Sequence, residues 1–250
     1  MEELAHRTAL ISGAASGIGK AIAAAFAHQG TALMLLDIQA AELERCVSQL
    51  KQFNEKIIGF CCDITQPKQV KEAVSLAVEK FGELHILINN AGLCPLHSFE
   101  EITLEEWNQV LAVNLSGAFL LSQAALPYLK QAAEKGRIIN IGSLAGISGG
   151  IAVGAHYAAS KAGLMVLGKT LAKLLAQQRV TVNNICPGTT DTPLTQTWQP
   201  EIRQALLNQI PLGRFCLPEE IAALALFLAS DSAAYITGAT LNINGGLLMI

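Results

Sequence analysis

Seven short runs rich in Leu, Ile and Val punctuate this chain, and several of them are unbroken rather than alternating with polar residues. They cover Thr8 to Ser12, Thr31 to Asp37, Lys56 to Cys62, His85 to Asn89, Arg137 to Ile141, Val180 to Ile185 and Thr240 to Ile243. A strand with one wet face alternates apolar and polar residues, whereas a parallel strand covered on both faces has no such need. Helical segments separate the first runs, at Gly17 to His28, Ala40 to Lys51 and about Pro67 to Phe81. The proline opens the last of these, where its missing N–H would be unpaired anyway. Strand, helix, strand in repetition predicts an α/β fold, an open doubly wound parallel sheet with helices on both faces. No linker, low-complexity tract or further repeat divides the 250 residues, so one domain spanning 1–250 is expected.

Two further helical stretches, about Leu104 to Lys130 and about His156 to Gln178, have too few polar residues for a fully solvated face. One side of each must cover the sheet, and a second copy of the chain is the simplest cover for the rest. A homodimer or homotetramer is therefore expected. The formal net charge is -3, only 15% of residues are charged, and no basic stripe is visible, which argues against nucleic acid. No charge-free apolar run reaches the roughly 20 residues of a membrane helix. The segment Met1 to Arg7 carries two Glu and no secretory core, so no membrane partner and a cytoplasmic location are expected. Cysteines 46, 61, 62, 94, 186 and 216 form no CxxC pair and no metal-type spacing. They are read as reduced and mostly core-filling, with no metal site.

The first run ends in Ser12-Gly13-Ala14-Ala15-Ser16-Gly17-Ile18-Gly19, and a helix follows at once. Glycines here permit a tight turn and let the backbone approach a pyrophosphate, with the free N–H groups of the helix start aimed at that charge. The spacing is G-x-x-x-G-x-G rather than the commoner G-x-G-x-x-G, but its place after the first strand marks a dinucleotide site. Asp37 ends the second run, roughly 20 residues further on, where a carboxylate accepts hydrogen bonds from adenosine ribose hydroxyls. The same charge repels an added phosphate. No Arg or Lys lies in the glycine turn or in Ile38-Gln39-Ala40, so NAD(H) is favoured over NADP(H). The competing reading is that Asp37 only caps the next helix.

Tyr157 and Lys161 are four residues apart in a helical segment and share a face. A free phenol titrates near pH 10, and a neighbouring ammonium lowers it, as does the positive ring of an oxidised nicotinamide. That suits the phenol to acid/base work. Ser143 follows the run ending at Ile141, at the carboxyl edge where such sheets bind ligands, and its hydroxyl is suited to holding a substrate oxygen. His156 adjoins the tyrosine but points about 100° away on a helix, which disfavours it as the base. Asp191 is read as a turn or capping residue before a substrate contact.

SGAASGIG at 12–19, Asp63, NNAG at 89–92, Asn114, Ser143, YAASK at 157–161 and PG at 187–188 together resemble the short-chain dehydrogenase/reductase family, along essentially the whole chain. The resemblance implies a single-domain Rossmann-type sheet in the strand order 3-2-1-4-5-6-7. It implies a catalytic tetrad of Asn114, Ser143, Tyr157 and Lys161. Tyr157 exchanges a proton with the substrate oxygen, Ser143 orients that oxygen, Lys161 holds the nicotinamide ribose and lowers the tyrosine pKa, and Asn114 keeps a water in a proton relay. For the cofactor it implies Gly13, Ser16, Gly17, Ile18 and Gly19 at the pyrophosphate, Asp37 and Ile38 near the adenosine ribose, and Asp63 and Ile64 at the adenine. Asn90, Ala91 and Gly92 border the cofactor, and Pro187, Gly188, Thr190 and Thr192 hold the carboxamide. Ser12 in place of the usual threonine and Asn244 in place of the usual Asp before Gly245-Gly246 are small departures.

Substrate residues are expected in Cys94 to His97, Leu144 to Gly154 and Thr189 to about Pro211, the last reading as a lid at about 189–211. Their uncharged, mixed composition points to a secondary alcohol or ketone that is small and hydroxylated or cyclic. PGTTDTPL is similar to segments of dihydrodiol-type dehydrogenases. The alternative is a 3-oxoacyl thioester reductase; such relatives more often use NADPH, and Asp37 counts against that. Two other classes stay open: a non-catalytic NAD-binding sensor, with no chemical reason to keep Tyr157 beside Lys161, and a methyltransferase on a similar sheet, which would leave that pair idle.

Overall fold

The computed structural model describes residues 2–150 and 153–249. Its seven strands are β1 (Thr8–Ser12), β2 (Ala32–Asp37), β3 (Ile57–Cys61), β4 (Ile86–Asn89), β5 (Arg137–Ile141), β6 (Thr181–Pro187) and β7 (Thr240–Ile243). They form one parallel sheet in the order β3-β2-β1-β4-β5-β6-β7, with Ile11 of β1 opposite Leu35 of β2 and Ile88 of β4. The helices are α1 (Gly17–His28), α2 (Ala40–Leu50), α3 (Pro67–Phe81), α4 (Leu104–Leu111), α5 (Ala118–Ala132), α6 (Ala145–Ser148), α7 (Ala155–Leu175), α8 (Pro193–Gln196), α9 (Pro200–Leu207) and α10 (Pro218–Ala229).

The unbroken apolar runs are explained by cover on both faces. Successive strand residues point to opposite sides. Ile11, Leu35, Ile88, Ile139 and Ile185 therefore pack with Ile22 and Phe26 of α1 and Ile221 of α10. Leu10, Met34, Leu87, Ile138 and Val182 pack on the other side with Val74 of α3, Leu121 and Leu129 of α5 and Leu175 of α7. The five central strands β2, β1, β4, β5 and β6 are buried at every residue, which contributes about 1.5–3 kcal/mol for each large aliphatic side chain, while the edge strands β3 and β7 are only partly covered.

The stretch anticipated as one helix from about Leu104 is α4 and α5 joined by a π-helical turn, Ala112–Gly117. Gly117 closes that turn against Ile64, whose Cδ1 would lie 2.5 Å from a Cβ there. The whole stretch, Leu104–Lys135, is long and apolar enough to cross a bilayer by length and composition. Its buried side, including Val110, Asn114, Leu121, Ala125 and Leu129, is spent on packing within the protein. Helices α8, α9 and α10 went unanticipated. The first two are short, and α10 (PEEIAALALFLA) is apolar on nearly all sides, which erases the 3.6-residue period that betrays a surface helix.

A polar ladder crosses the buried sheet centre. Asn89 Nδ2 donates to Asn140 Oδ1 at 2.9 Å and to Ser122 Oγ at 3.1 Å, and Asn140 Nδ2 donates to Asn184 Oδ1 at 3.0 Å. Asn184 Nδ2 then reaches Thr240 Oγ1 at 3.2 Å and the Met165 carbonyl at 3.3 Å. The three asparagines are in register on β4, β5 and β6, so one hydrogen-bonded row fixes the alignment of strands whose apolar residues alone would tolerate slippage. No disulfide forms among the six cysteines. The core-filling reading holds for Cys46, Cys62 and Cys186; Cys61 is exposed, and Cys94 and Cys216 are half-buried.

Candidate active site

At the carboxyl edge of the sheet, β1 runs into the glycine turn. Gly13 has φ +64°, and a Cβ there would sit 2.8 Å from the Ala91 Cα; one on Gly19 would sit 2.0 Å from the Gly13 carbonyl oxygen. Neither position admits another residue without moving backbone. Ser12 Oγ donates to the Ile88 carbonyl at 3.3 Å and accepts from the Asn90 and Ala91 N–H groups at 3.1 and 3.2 Å, so serine does keep the hydroxyl in use. Asn90 Nδ2 donates to the carbonyls of Ser12 and Gly13, each at 3.0 Å, and this locks the turn against β4.

Ser16 is the residue before the first turn of α1, yet its hydroxyl makes no capping bond, and α1 carries no acidic residue in that turn. An exposed hydroxyl beside unpaired N–H groups with no competing carboxylate is the donor set a pyrophosphate requires. The residues present thus fit a dinucleotide.

Asp37 is almost fully buried, and its carboxylate accepts from the N–H of Ala15 and of Gln39, each at 3.0 Å. It therefore braces both the glycine turn and the entry to α2, so the capping reading is partly met, while its acceptor capacity leaves room for ribose hydroxyls. Ile38 beside it is exposed. Asp63 accepts from the Thr65 N–H at 2.9 Å and its hydroxyl at 2.7 Å, which hold its carboxyl below the ordinary range against the effect of burial. The Ile64 side chain is buried against Gly117, so a nucleotide can meet only its backbone.

A cavity of about 630 Å³ adjoins the turn, lined by Ile18, Asn90, Gly92, Ser143, Tyr157, Lys161, Pro187, Gly188, Thr190 and Thr192 among others. Tyr157 and Lys161 of α7 share a face as their spacing requires, with the Lys161 Nζ 5.8 Å from the centre of the Tyr157 ring. Nζ donates to the Ile141 carbonyl at 2.8 Å. Burial pushes the Lys161 ammonium down to about 8 and the Tyr157 phenol well above its ordinary value, against a hydrogen bond from Ser143 that pulls the phenol down. Gly92 makes this closeness feasible: a Cβ there would lie 3.2 Å from Asn114 Oδ1 and 3.4 Å from Lys161 Nζ.

Asn114 is buried in the π-helical turn, with its amide bonded at both ends. Oδ1 accepts from the Leu93 N–H at 2.7 Å, and Nδ2 donates to the Leu93 carbonyl at 2.9 Å and to Ser160 Oγ at 3.0 Å. Thr190 Oγ1 donates to the Gly188 carbonyl, while Thr192 caps α8 and touches the glycine turn, with its Cγ2 3.5 Å from where a Gly17 Cβ would be. The buried Asn244 accepts from the Gly246 N–H at 3.0 Å and donates to the Leu248 carbonyl at 3.0 Å, supporting the strand against which Gly188 packs.

Of the three substrate segments, Cys94 lines the cavity but Pro95, Leu96 and His97 do not. Leu144, Ser148, Gly149, Gly150 and Val153 contribute from the second, whose residues 151 and 152 lie outside the described residues. Thr189, Leu194, Trp198, Leu206 and Gln209 contribute from the third. Leu93 and Leu247 were missed by sequence reasoning; each is a single apolar residue outside the motifs. The Cys94 thiol is pushed up to about 12 by burial, which keeps it protonated near neutral pH. His156 is buried with its Nε2 3.0 Å from Glu106 Oε1, outside the cavity lining. Asp191 Oδ1 accepts from Arg203 Nη2 at 3.2 Å, a structural partner in place of substrate.

A family profile described as enoyl-(acyl carrier protein) reductase matches residues 13–248. A 3-oxoacyl-[acyl-carrier-protein] reductase of Thermotoga maritima is 40% identical, covering 98% of this chain and 99% of its own. The chain belongs to the short-chain dehydrogenase/reductase family. Other relatives are a D-threitol dehydrogenase of Mycolicibacterium smegmatis, 41% identical over 96% of this chain and 92% of its own, and a 2,5-dichloro-2,5-cyclohexadiene-1,4-diol dehydrogenase of Sphingobium indicum, 39% identical over 97% and 96%. As a short-chain dehydrogenase/reductase it is an oxidoreductase that uses a nicotinamide cofactor and acts on a hydroxyl or keto group of a small molecule. Sheet order and family agree with the expectations drawn from the motifs.

Proposed function

We propose that this short-chain dehydrogenase/reductase uses NAD(H) to interconvert a ketone and a secondary alcohol, with Tyr157 as the acid/base. The observation that carries this reading is the convergence of Ser143, Tyr157 and Lys161 on one cavity beside a glycine turn that only backbone can fill. When bound, the nicotinamide ring supplies or accepts the hydride. The protein handles the proton. In reduction, the Tyr157 hydroxyl protonates the carbonyl oxygen while the Ser143 hydroxyl donates a hydrogen bond to the same oxygen. Lys161, with Nζ 5.8 Å from the ring centre, stabilises the phenolate left behind, and a proton taken up from solvent restores the hydroxyl. In oxidation the same steps run in reverse. The Asn114 amide is committed to Leu93 and Ser160, so we assign its side chain the task of holding loop and helix together.

NAD(H) over NADP(H) is supported by the Asp37 carboxylate at the end of β2 and by the absence of Arg or Lys in the turn and in residues 38–40. For the substrate, the wall of Leu93, Leu144, Val153, Leu194, Trp198 and Leu206 favours uncharged, mainly apolar substituents on the reacting carbon. That favours a 3-oxoacyl thioester, the kind of substrate named for several relatives, over a tetritol. A cyclic diol is the second reading, supported by the relative named for a cyclohexadienediol. The segment at about 189–211 acts as a lid in this reading: Arg203 ties it together by donating to the Thr195 carbonyl at 2.7 Å and to Asp191. Exposed Phe119 on α5 and Val166 and Leu174 on α7 support burial against a second copy in a homodimer or homotetramer.

Nicotinamide absorbance tests this with acetoacetyl N-acetylcysteamine thioester plus NADH, and with a vicinal cyclohexanediol plus NAD. Tyr157→Phe should lower kcat/KM about 10²–10⁴-fold with NADH binding intact. Turnover that survives this substitution would sink the assignment of Tyr157, whereas NADH binding with no turnover of either substrate by the parent would leave the sensor reading standing.

A further inference from the structure

The catalytic residues account for one end of a set of bridges; the other end has a carboxylate that the mechanism does not use. Glu106 lies on α4, two turns before the π-helical turn that carries Asn114. Its carboxylate meets His97 Nδ1 at 2.8 Å from both oxygens, and its Oε1 meets His156 Nε2 at 3.0 Å. His97 belongs to the loop after β4, and His156 is the residue before Tyr157 in the first turn of α7. Asn114 joins the same two elements further in, at Leu93 of the loop and Ser160 of α7. The two bridges flank Tyr157 on both sides of its helical turn.

The His156 end is tightly built. Its ring is fully buried, and a Cβ on Gly154 would lie 2.1 Å from its Cε1, so a glycine is needed for the imidazole to fold back on the helix start. The Gly154 N–H donates to the Pro95 carbonyl at 3.4 Å, a second tie between loop and helix. Among the described residues His156 Nδ1 has no partner, so the Glu106 contact is the hydrogen bond that orients the packed ring. A packed ring with one polar anchor loses its preferred orientation, and leaves a buried nitrogen unpaired, when that carboxylate is removed. Glu106 is itself mostly covered, and the two imidazoles hold its carboxyl below the ordinary range.

We propose that Glu106 is a positioning residue for the hydride-transfer reaction. Through His156 it fixes the first turn of α7, and through His97 the loop bearing Leu93 and Cys94, so that the Tyr157 hydroxyl and the cavity wall keep their separation. The proposal rests on Tyr157 being the acid/base, and it assigns Glu106 no contact with substrate or cofactor. An error of about 1 Å in such a placement costs up to about a hundredfold in rate.

The test compares Glu106→Ala, Glu106→Gln, His156→Leu, His156→Gln and Gly154→Ala with the parent and with Tyr157→Phe. Readouts are kcat, KM, the NADH dissociation constant by fluorescence, and deuterium uptake. Glu106→Ala and His156→Leu should lower kcat about ten- to a hundredfold, leave NADH binding within about twofold, and raise uptake in residues 93–99 and 155–160 but not in α1. Glu106→Gln and His156→Gln keep a hydrogen-bonding atom within reach and should recover part of kcat, whereas Gly154→Ala, which displaces the ring without touching Glu106, should lose it. Uptake is read without turnover, so the test does not depend on the chosen substrate. Unchanged uptake in both segments overturns the inference. So does an unchanged kcat in Glu106→Ala, or a loss matched by weaker NADH binding and by uptake throughout the sheet, which is general destabilisation. If Tyr157→Phe keeps its activity, the proton-transfer reading has failed instead.

Discussion

Along the nucleotide side of the cleft, Gly13, Gly17 and Gly19 present backbone to the ligand, and the supporting hydrogen bonds from Asn90, Ser12 and Asp37 all end on backbone groups within or beside that turn. Across the cleft the wall is made of side chains: Leu93 from one loop, Leu144 and Val153 from a second, Trp198 and Leu206 from a third, and Leu247 from near the carboxyl end. In the proposed reading the first region binds what every nicotinamide dinucleotide shares, a diphosphate, and backbone N–H groups vary little with sequence. The second must distinguish one alcohol from another, and side chains can be exchanged without disturbing the sheet. One side is constrained to a few residue types at fixed spacing. The other is constrained only to be apolar and to close.

If the nucleotide side owes its selectivity to a single side chain, changing that charge is the largest lever available. Asp37→Asn retains one carbonyl acceptor for the Ala15 and Gln39 N–H groups but loses the charge. Charge-assisted bonds to ribose hydroxyls are worth about 1.5–3 kcal/mol, so preference for NAD over NADP should fall about ten- to a hundredfold. The ratio of kcat/KM for NADH and NADPH checks this. An unchanged ratio would confine Asp37 to its bracing bonds and move the discrimination elsewhere.

The same contrast explains what could be read from residues alone. The glycine turn, Asp37, and the pairing of Tyr157 with Lys161 are local spacings whose chemistry follows from three to eight consecutive residues. Strands β1, β5 and β7 were read to the residue, the first two because polar or glycine neighbours bound their apolar runs. The polar ladder of Asn89, Asn140 and Asn184 could not be read that way. Each asparagine is a polar residue within its own apolar run, and only the strand order puts the three in one row. Glu106 was invisible for the same reason, since its partners are 9 and 50 residues away. The substrate segments were found as regions, by their place after strands, while their lining residues were not: of Cys94 to His97 only Cys94 reaches the cavity.

Lys161 sits where the two sides meet, and its burial makes a claim about stability. Its folded-state pKa of about 8 is below the ordinary 10.5, so the folded protein is the weaker proton binder. Below pH 8 both states carry the proton and the full cost of burying the ammonium is present. Between 8 and 10.5 the unfolded chain holds more protons, so folding becomes more favourable as pH rises. Lys161→Met should therefore stabilise the cofactor-free protein by roughly 1–3 kcal/mol near pH 7, with the gap closing toward pH 10.5. Tyr157 does not confuse the comparison, because its raised pKa acts only above its ordinary value of 10. Urea unfolding across this range measures the gap; one that stays constant with pH would show that lost packing, rather than the buried charge, separates the two proteins.

The smallest effect belongs to the most replaceable part of the wall. Arg203 donates to the Thr195 carbonyl and to Asp191, and its guanidinium lies 4.9 Å from the Phe215 ring centre, so it gathers α8, α9 and the chain beyond into one unit. It is partly exposed, which limits what each contact contributes. Arg203→Ala removes these contacts without altering any cavity-lining side chain. The lid then closes less often, and the loss of about 0.5–1.5 kcal/mol appears as a KM for the ketone raised about three- to tenfold. NADH binding should be unchanged, because the glycine turn keeps every bond it has. If NADH binding weakens instead and KM holds, α8 and α9 serve the nucleotide through Thr192 and its contact with Gly17, and the division between a backbone-built side and a side-chain-built side would have to be redrawn at Thr192.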